Sequence, residues 1–180
     1  GEFISSKTAP ADNVASALYG GLILVNNREN YNVINLPVPE DLLAVVHHPL
    51  IEIKTSKSRS VLPKTIEINL ASQQLASMGG FIHSLHTENF ELMRLILKDY
   101  LIEHFRADQV PLFHKIKKIG VSKNIICCSI SGSGPSVFSL VNGYDKAKEL
   151  KLICDKMYSK NNIKFNSYIT RLNSGGVRII

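Results

Sequence analysis

The chain has 180 residues, 44% of them hydrophobic, with 21 Lys and Arg against 15 Asp and Glu for a net charge of +6. That apolar content allows a sizeable buried core, no apolar run is long enough to span a membrane, and no secretory signal pattern opens the chain. The cations are scattered and Trp is absent, which argues against a nucleic-acid surface and suits a protein that attracts a small anionic ligand.

The first residues, Gly1-Glu2-Phe3-Ile4, start inside what reads as a structured pattern without Met, which suggests a piece of a longer polypeptide. Residues 12 to 19 read as a short helix ended by Gly20 and Gly21, with Asp12 or Asn13 accepting hydrogen bonds from its free N–H groups. Leu22–Val25 and residues 31 to 36 are strands around a polar turn at 26 to 30, together a hairpin. Pro37 and Pro39 mark a boundary, and residues 42 to 47 form an unbroken apolar strand, buried on both faces and stopped by Pro49.

Residues 55 to 63 are polar and basic. Beyond them, apolar residues at helical intervals predict helices over 66 to 84, 88 to 97, 100 to 105 and 112 to 119, with Gly120 as a C-cap. A buried strand at 125 to 130 then breaks into Ser131-Gly132-Ser133-Gly134-Pro135-Ser136, and the apolar pattern resumes at Val137. Glycines in such a bend let successive N–H groups point into one concavity and hold an anion. The alternative is a turn that only joins two elements. Residues 145 to 158 form an amphipathic helix, and 165 to 172 and 177 to 180 are the last strands. The sum is an α+β protein, with helices covering one face of a mostly antiparallel sheet.

Cys127, Cys128 and Cys154 lack metal-binding or redox spacing and read as reduced core residues. The six histidines form no metal pattern; His83 and His86 share a helical face without a third ligand nearby.

Three stretches carry a resemblance: Ala11-Asp12-Asn13-Val14-Ala15 with Leu18-Tyr19-Gly20-Gly21, then Thr55-x-x-x-Arg59-x-x-Leu62-Pro63, then Ser131-Gly132-Ser133-Gly134-Pro135-Ser136. Lesser echoes are Asp99 with Glu103 and Arg106, and Gly176-Val177-Arg178. Together they resemble the homoserine kinase family of the GHMP kinase superfamily across nearly the whole chain. The resemblance implies ATP-dependent phosphorylation of L-homoserine to O-phospho-L-homoserine, on the way to threonine. It implies the end of a ribosomal-S5-domain-2-like N-terminal domain at residues 1 to 38, then a ferredoxin-like C-terminal domain at 39 to 180. The family's main phosphate loop, Pro-x-x-x-Gly-Leu-Gly-Ser-Ser, has no match here, so the chain is expected to be the C-terminal part of the enzyme and inactive alone.

The implied roles follow residue by residue. Asn13 and Arg59 carry the catalytic assignment. Asp12, Asn13, Arg59 and Arg106 bind the amino-acid substrate, with a salt bridge to Glu103 as the alternative for Arg106. Gly132, Ser133 and Gly134 complete the ATP-phosphate pocket. Mg²⁺ is implied as the counter-ion of ATP, with no metal ligand assigned in this chain. Pro10 stands where the family usually has a His, which puts one substrate hydrogen bond in question. The implied partners are homoserine, ATP and an upstream segment of the same polypeptide, in the cytoplasm, with no nucleic acid or membrane; the family also makes a homodimer plausible. Two other readings stand beside this one: another GHMP small-molecule kinase, and a non-catalytic ligand-binding or regulatory ferredoxin-like module.

Overall fold

The computed structural model describes residues 11–26, 32–172 and 175–177. They fall into two compact units, one from the described residues up to Glu40 with those from Arg171 onward, the other from Asp41 to Thr170.

The first unit opens with helix α1 (Ala11–Tyr19), which Gly20 and Gly21 end in left-handed conformation at φ 71 and 66. Strands β1 (Leu22–Val25) and β2 (Val33–Leu36) follow, paired antiparallel with Leu22 opposite Leu36 and Val25 opposite Val33. The expected helix and hairpin are therefore present, although most of the predicted turn lies outside the described residues. Val177 is not in a strand; its N–H donates to the Leu18 carbonyl at 3.1 Å. The remainder of the strand expected there lies outside the described residues, as do Pro10 and Arg178.

The second unit holds β3 (Leu42–Pro49), α2 (Thr55–Ser60), α3 (Ile68–His86), α4 (Phe90–Ile96), α5 (Glu103–Arg106) with a 3₁₀ turn at Ala107–Gln109, α6 (Phe113–Ser122), β4 (Cys127–Ile130), β5 (Val137–Asn142), α7 (Tyr144–Lys160) and all but the last residue of β6 (Phe165–Arg171). The sheet runs β4-β5-β3-β6. β5 pairs antiparallel with both neighbours, Val45 lying opposite Ser139 and Ser129 opposite Phe138.

Side chains alternate across a strand, so Leu43 and Val45 of β3 share a face with Val137 and Val141 of β5 and Cys128 of β4. Against that face α7 turns a stripe at helical spacing, Ala147, Leu150, Cys154 and Tyr158, and α6 contributes Phe113 and Ile116. Each fully buried large side chain in this layer contributes roughly 1.5–3 kcal/mol by leaving water. Among the described residues no helix is long and apolar enough to cross a membrane.

Three local expectations are corrected, and one segment that the sequence left without an element is a helix. The polar segment after Lys54 is helical over Thr55–Ser60, and it buries Ser58 completely. Residues 100 to 102 are a loop instead of helix, because Asp99 Oδ1 accepts from the N–H groups of Leu101 and Ile102 at 2.8 and 2.7 Å and holds the chain in a turn. Gly120 does not end its helix; α6 runs on to Ser122, and Asn124 turns the chain at φ 53. The glycine is needed for packing, since a Cβ there would lie 2.5 Å from Ile125 Cδ1. Strand β3 includes Pro49 instead of stopping before it.

Candidate active site

The bend from β4 to β5 is built by its own hydrogen bonds. The Ser131 N–H donates to the Ser136 carbonyl at 2.8 Å, and the Gly134 N–H donates back to the Ser131 carbonyl at 2.9 Å. Gly132 and Gly134 sit at φ 56 and 80, and the Gly134–Pro135 peptide is cis. A left-handed φ is costly for any residue with a Cβ, which is the physical reason for both glycines.

The outward carbonyls of this bend are taken by side chains from two other elements. Arg106, at the end of α5, donates Nη1–H to the Gly132 carbonyl at 2.7 Å and Nε–H to the Ser58 carbonyl at 3.4 Å. Ser58, on α2, donates its hydroxyl to the Ser133 carbonyl at 3.1 Å. A trans peptide is planar, with its C=O and N–H pointing opposite ways. With the Gly132 carbonyl turned to Arg106, the Ser133 N–H points away from that guanidinium. The Gly132 N–H is likewise turned away from the Ser131 carbonyl inside the bend. Neither N–H has an acceptor among the described residues. Gly132 is exposed, and nothing lies within 4 Å of where its Cβ would be. Gly132 thus lies on an open part of the bend, and successive N–H groups without internal acceptors are the kind of element that can hold an anion.

Cations flank the bend. Partial burial depresses the pKa of the Arg106 guanidinium; Asp99 opposes this, and the charge of Arg59 adds to it. Arg59 and Arg106 are therefore close enough to repel, and an anion placed near both would relieve that repulsion. Arg59 is exposed on α2, next to the buried Ser58. The alternative partner for Arg106 is not adopted: the Glu103 carboxylate, almost fully buried, pairs with Lys117. At the far end of the bend, Ser136 Oγ is hydrogen-bonded to His48 Nδ1 at 2.8 Å, which fixes the serine against the end of β3.

The structure thus brings Arg59, Arg106, Gly132, Ser133 and Gly134 into one region of the second unit. Asp12 and Asn13 belong to the first unit, at the start of α1, where Asp12 Oδ1 accepts from the Asn13 N–H at 3.0 Å and both side chains are exposed. Among the described residues no cluster of His, Cys, Asp and Glu forms a metal site. The cysteines are free; burial pushes the Cys127 and Cys154 thiols up to about 12 and the Cys128 thiol to about 11, so they act as inert packing groups. Sequence reasoning missed Ser58 and His48. Ser58 sits inside a run of polar residues that looks solvated, and His48 looks like the plain end of a strand.

No family model matches the chain. It is similar to the homoserine kinase of Chlorobaculum tepidum, with 33% identity over 100% of this chain and 56% of that protein. The crystal structure of homoserine kinase from Cytophaga hutchinsonii superposes with a TM-score of 0.93 at 35% identity, covering 97% of this chain and 56% of that one. The crystal structure of L. major mevalonate kinase in complex with R-mevalonate has a TM-score of 0.66 at 14% identity, covering 92% of this chain and 53% of that one, and shares the α+β fold alone. The chain spans little more than half the length of the homoserine kinases it matches.

Proposed function

For a chain related to homoserine kinases along its whole length, we propose that it is the C-terminal part of an ATP-dependent kinase acting on L-homoserine. The product is O-phospho-L-homoserine, an intermediate toward threonine. The observation that carries this reading is Arg106. It holds a glycine bend with two unengaged N–H groups, and its charge is felt together with that of Arg59.

In this reading the Gly132 and Ser133 N–H groups take phosphate oxygens of ATP. Arg59 grips the homoserine carboxylate through two parallel N–H bonds, a geometry that Lys cannot copy. The remaining donors of Arg106 face the same carboxylate. Asp12 meets the substrate ammonium and Asn13 orients its hydroxyl. The hydroxyl oxygen attacks the γ-phosphorus, the bond from that phosphorus to the bridging oxygen breaks, ADP leaves, and the hydroxyl proton passes to solvent. Phosphoryl transfer of this kind depends mainly on alignment and charge stabilisation, so no dedicated base is required. Mg²⁺ accompanies ATP as the counter-ion of its phosphates.

We read the second unit as the ferredoxin-like C-terminal domain of GHMP kinases, which the strand order β4-β5-β3-β6 supports. The first unit is then the end of the S5-domain-2-like domain, with the boundary near residue 38. Three free cysteines suit a reducing, cytoplasmic setting.

The test is a substrate panel with the complete polypeptide and Mg·ATP. Turnover of L-homoserine, with none of mevalonate, is the expected result. Turnover of mevalonate without homoserine would replace this reading with another GHMP kinase, and no turnover or ATP binding at all would favour a ligand-binding module.

A further inference from the structure

We infer that Ser58 is a positioning residue that couples the substrate arginine to the glycine bend, so that nucleotide and amino acid bind with mutual reinforcement. This rests on the proposed roles of Arg59 and the bend. Ser58 is 0% exposed although its neighbours Arg59 and Ser60 are exposed. Its hydroxyl donates to the Ser133 carbonyl, and its own carbonyl accepts from Arg106, which in turn donates to the Gly132 carbonyl. One buried serine therefore reaches the bend twice, directly and through Arg106. The next residue along the same short helix is Arg59.

The physical link is the peptide group. The Gly132 carbonyl, held by Arg106, and the Ser133 N–H, turned away from Arg106, are two ends of one peptide. An anion accepting from that N–H polarises the peptide and strengthens the hydrogen bond at its other end. Arg106 and Ser58 are drawn more firmly onto the bend, and α2, which carries Arg59, is held in place. The energy of fixing α2 is then shared between two ligands, which is positive coupling, and it must act equally in both directions.

The experiment measures L-homoserine affinity by calorimetry on the complete polypeptide, with and without Mg²⁺ and a non-hydrolysable ATP analogue. The wild type is expected to gain at least about 5-fold in affinity when the analogue is bound, and Ser58→Ala to lose most of that gain while each ligand alone binds within about 3-fold of wild type. Ser58→Cys, which keeps a weak donor, is expected to fall between them, and it replaces Ser58→Ala if that variant does not fold. A coupling factor of one in the wild type, or an undiminished factor in the variants, overturns the inference.

A second readout separates this result from a failure of the proposed substrate. Amide hydrogen exchange over residues 55 to 62 is followed on adding the analogue alone. If homoserine does not bind, the functional reading fails, but protection of this segment in the wild type and not in Ser58→Ala still supports the coupling. Equal protection in both, or none in the wild type, overturns it.

Discussion

Gly132 and Gly134 share a left-handed backbone but face different surroundings. A methyl at Gly134 would meet Val110 Cγ2 at 3.0 Å and Ile130 Cγ2 at 3.4 Å, whereas a methyl at Gly132 would meet nothing within 4 Å. Gly134→Ala therefore adds a packing conflict to backbone strain and is expected to cost about 2–4 kcal/mol, against about 1–2 kcal/mol for Gly132→Ala. Urea denaturation of the two variants checks the order. Activity should reverse it relative to stability, since the Gly132 methyl enters the open side of the bend and crowds an arriving phosphate. Arg59 is tested differently. Arg59→Ala in the complete polypeptide is expected to lower kcat/KM for homoserine by roughly 2–4 kcal/mol in transition-state terms, with Arg59→Lys restoring only part of the loss. Unchanged kinetics in either variant would remove Arg59 from the site.

At the scale of elements, the contact between β3 and α7 holds a partly buried polar cluster that the kinase reading does not use. His47 is buried, stacks on Tyr158 at 5.6 Å between ring centroids, and has Nε2 3.1 Å from Asp155 Oδ1. Burial lowers the His47 pKa below 6.5, although the Asp155 charge and hydrogen bond oppose it. For Asp155, burial alone would raise the carboxyl, but hydrogen bonds from Lys151 and Ser167 and the charges of Lys151 and His47 outweigh it and hold it below 3.8. Both groups bind fewer protons folded than unfolded. Stability is present above the unfolded values and is lost as pH falls, first through the histidine below 6.5 and then through the carboxylate below 3.8. Each group contributes a slope of at most about 1.4 kcal/mol per pH unit. The urea midpoint should therefore drop between pH 7.5 and pH 5, and His47→Gln should flatten that drop; an unchanged slope would contradict the assignment.

The same scale shows what the sequence made legible. The α7 stripe of Ala147, Leu150, Cys154 and Tyr158 has a plain helical period, and the structure buries all four. Helix α2 was hidden because Thr-Ser-Lys-Ser-Arg-Ser carries no apolar periodicity; its buried Ser58 is fixed by hydrogen bonds instead of by hydrophobic burial. Gly120 misled because a glycine near a helix end also fits a cap, and the close approach of Ile125 cannot be seen before the fold is known.

For the whole molecule, the glycine bend was legible in the sequence, and Arg59 stood out only through a family motif. Their connection through Ser58 and Arg106 was not, because residues 58, 106 and 132 are far apart in sequence and no local pattern links them. Ile68 and Leu75 on α3 are 82% and 73% exposed. If an upstream part of the polypeptide covers apolar surface of this kind, the 180-residue chain made alone should bind a hydrophobic dye, and the complete polypeptide should bind much less. In the proposed reading the bend holds nucleotide phosphates while Arg59 holds the acceptor. A crystal structure of the complete polypeptide with L-homoserine and a non-hydrolysable ATP analogue tests it most directly. Phosphate oxygens are expected within hydrogen-bond distance of the Gly132 and Ser133 N–H groups, with the homoserine carboxylate on the Arg59 guanidinium; a nucleotide bound away from the bend, or a carboxylate held without Arg59, would overturn these assignments.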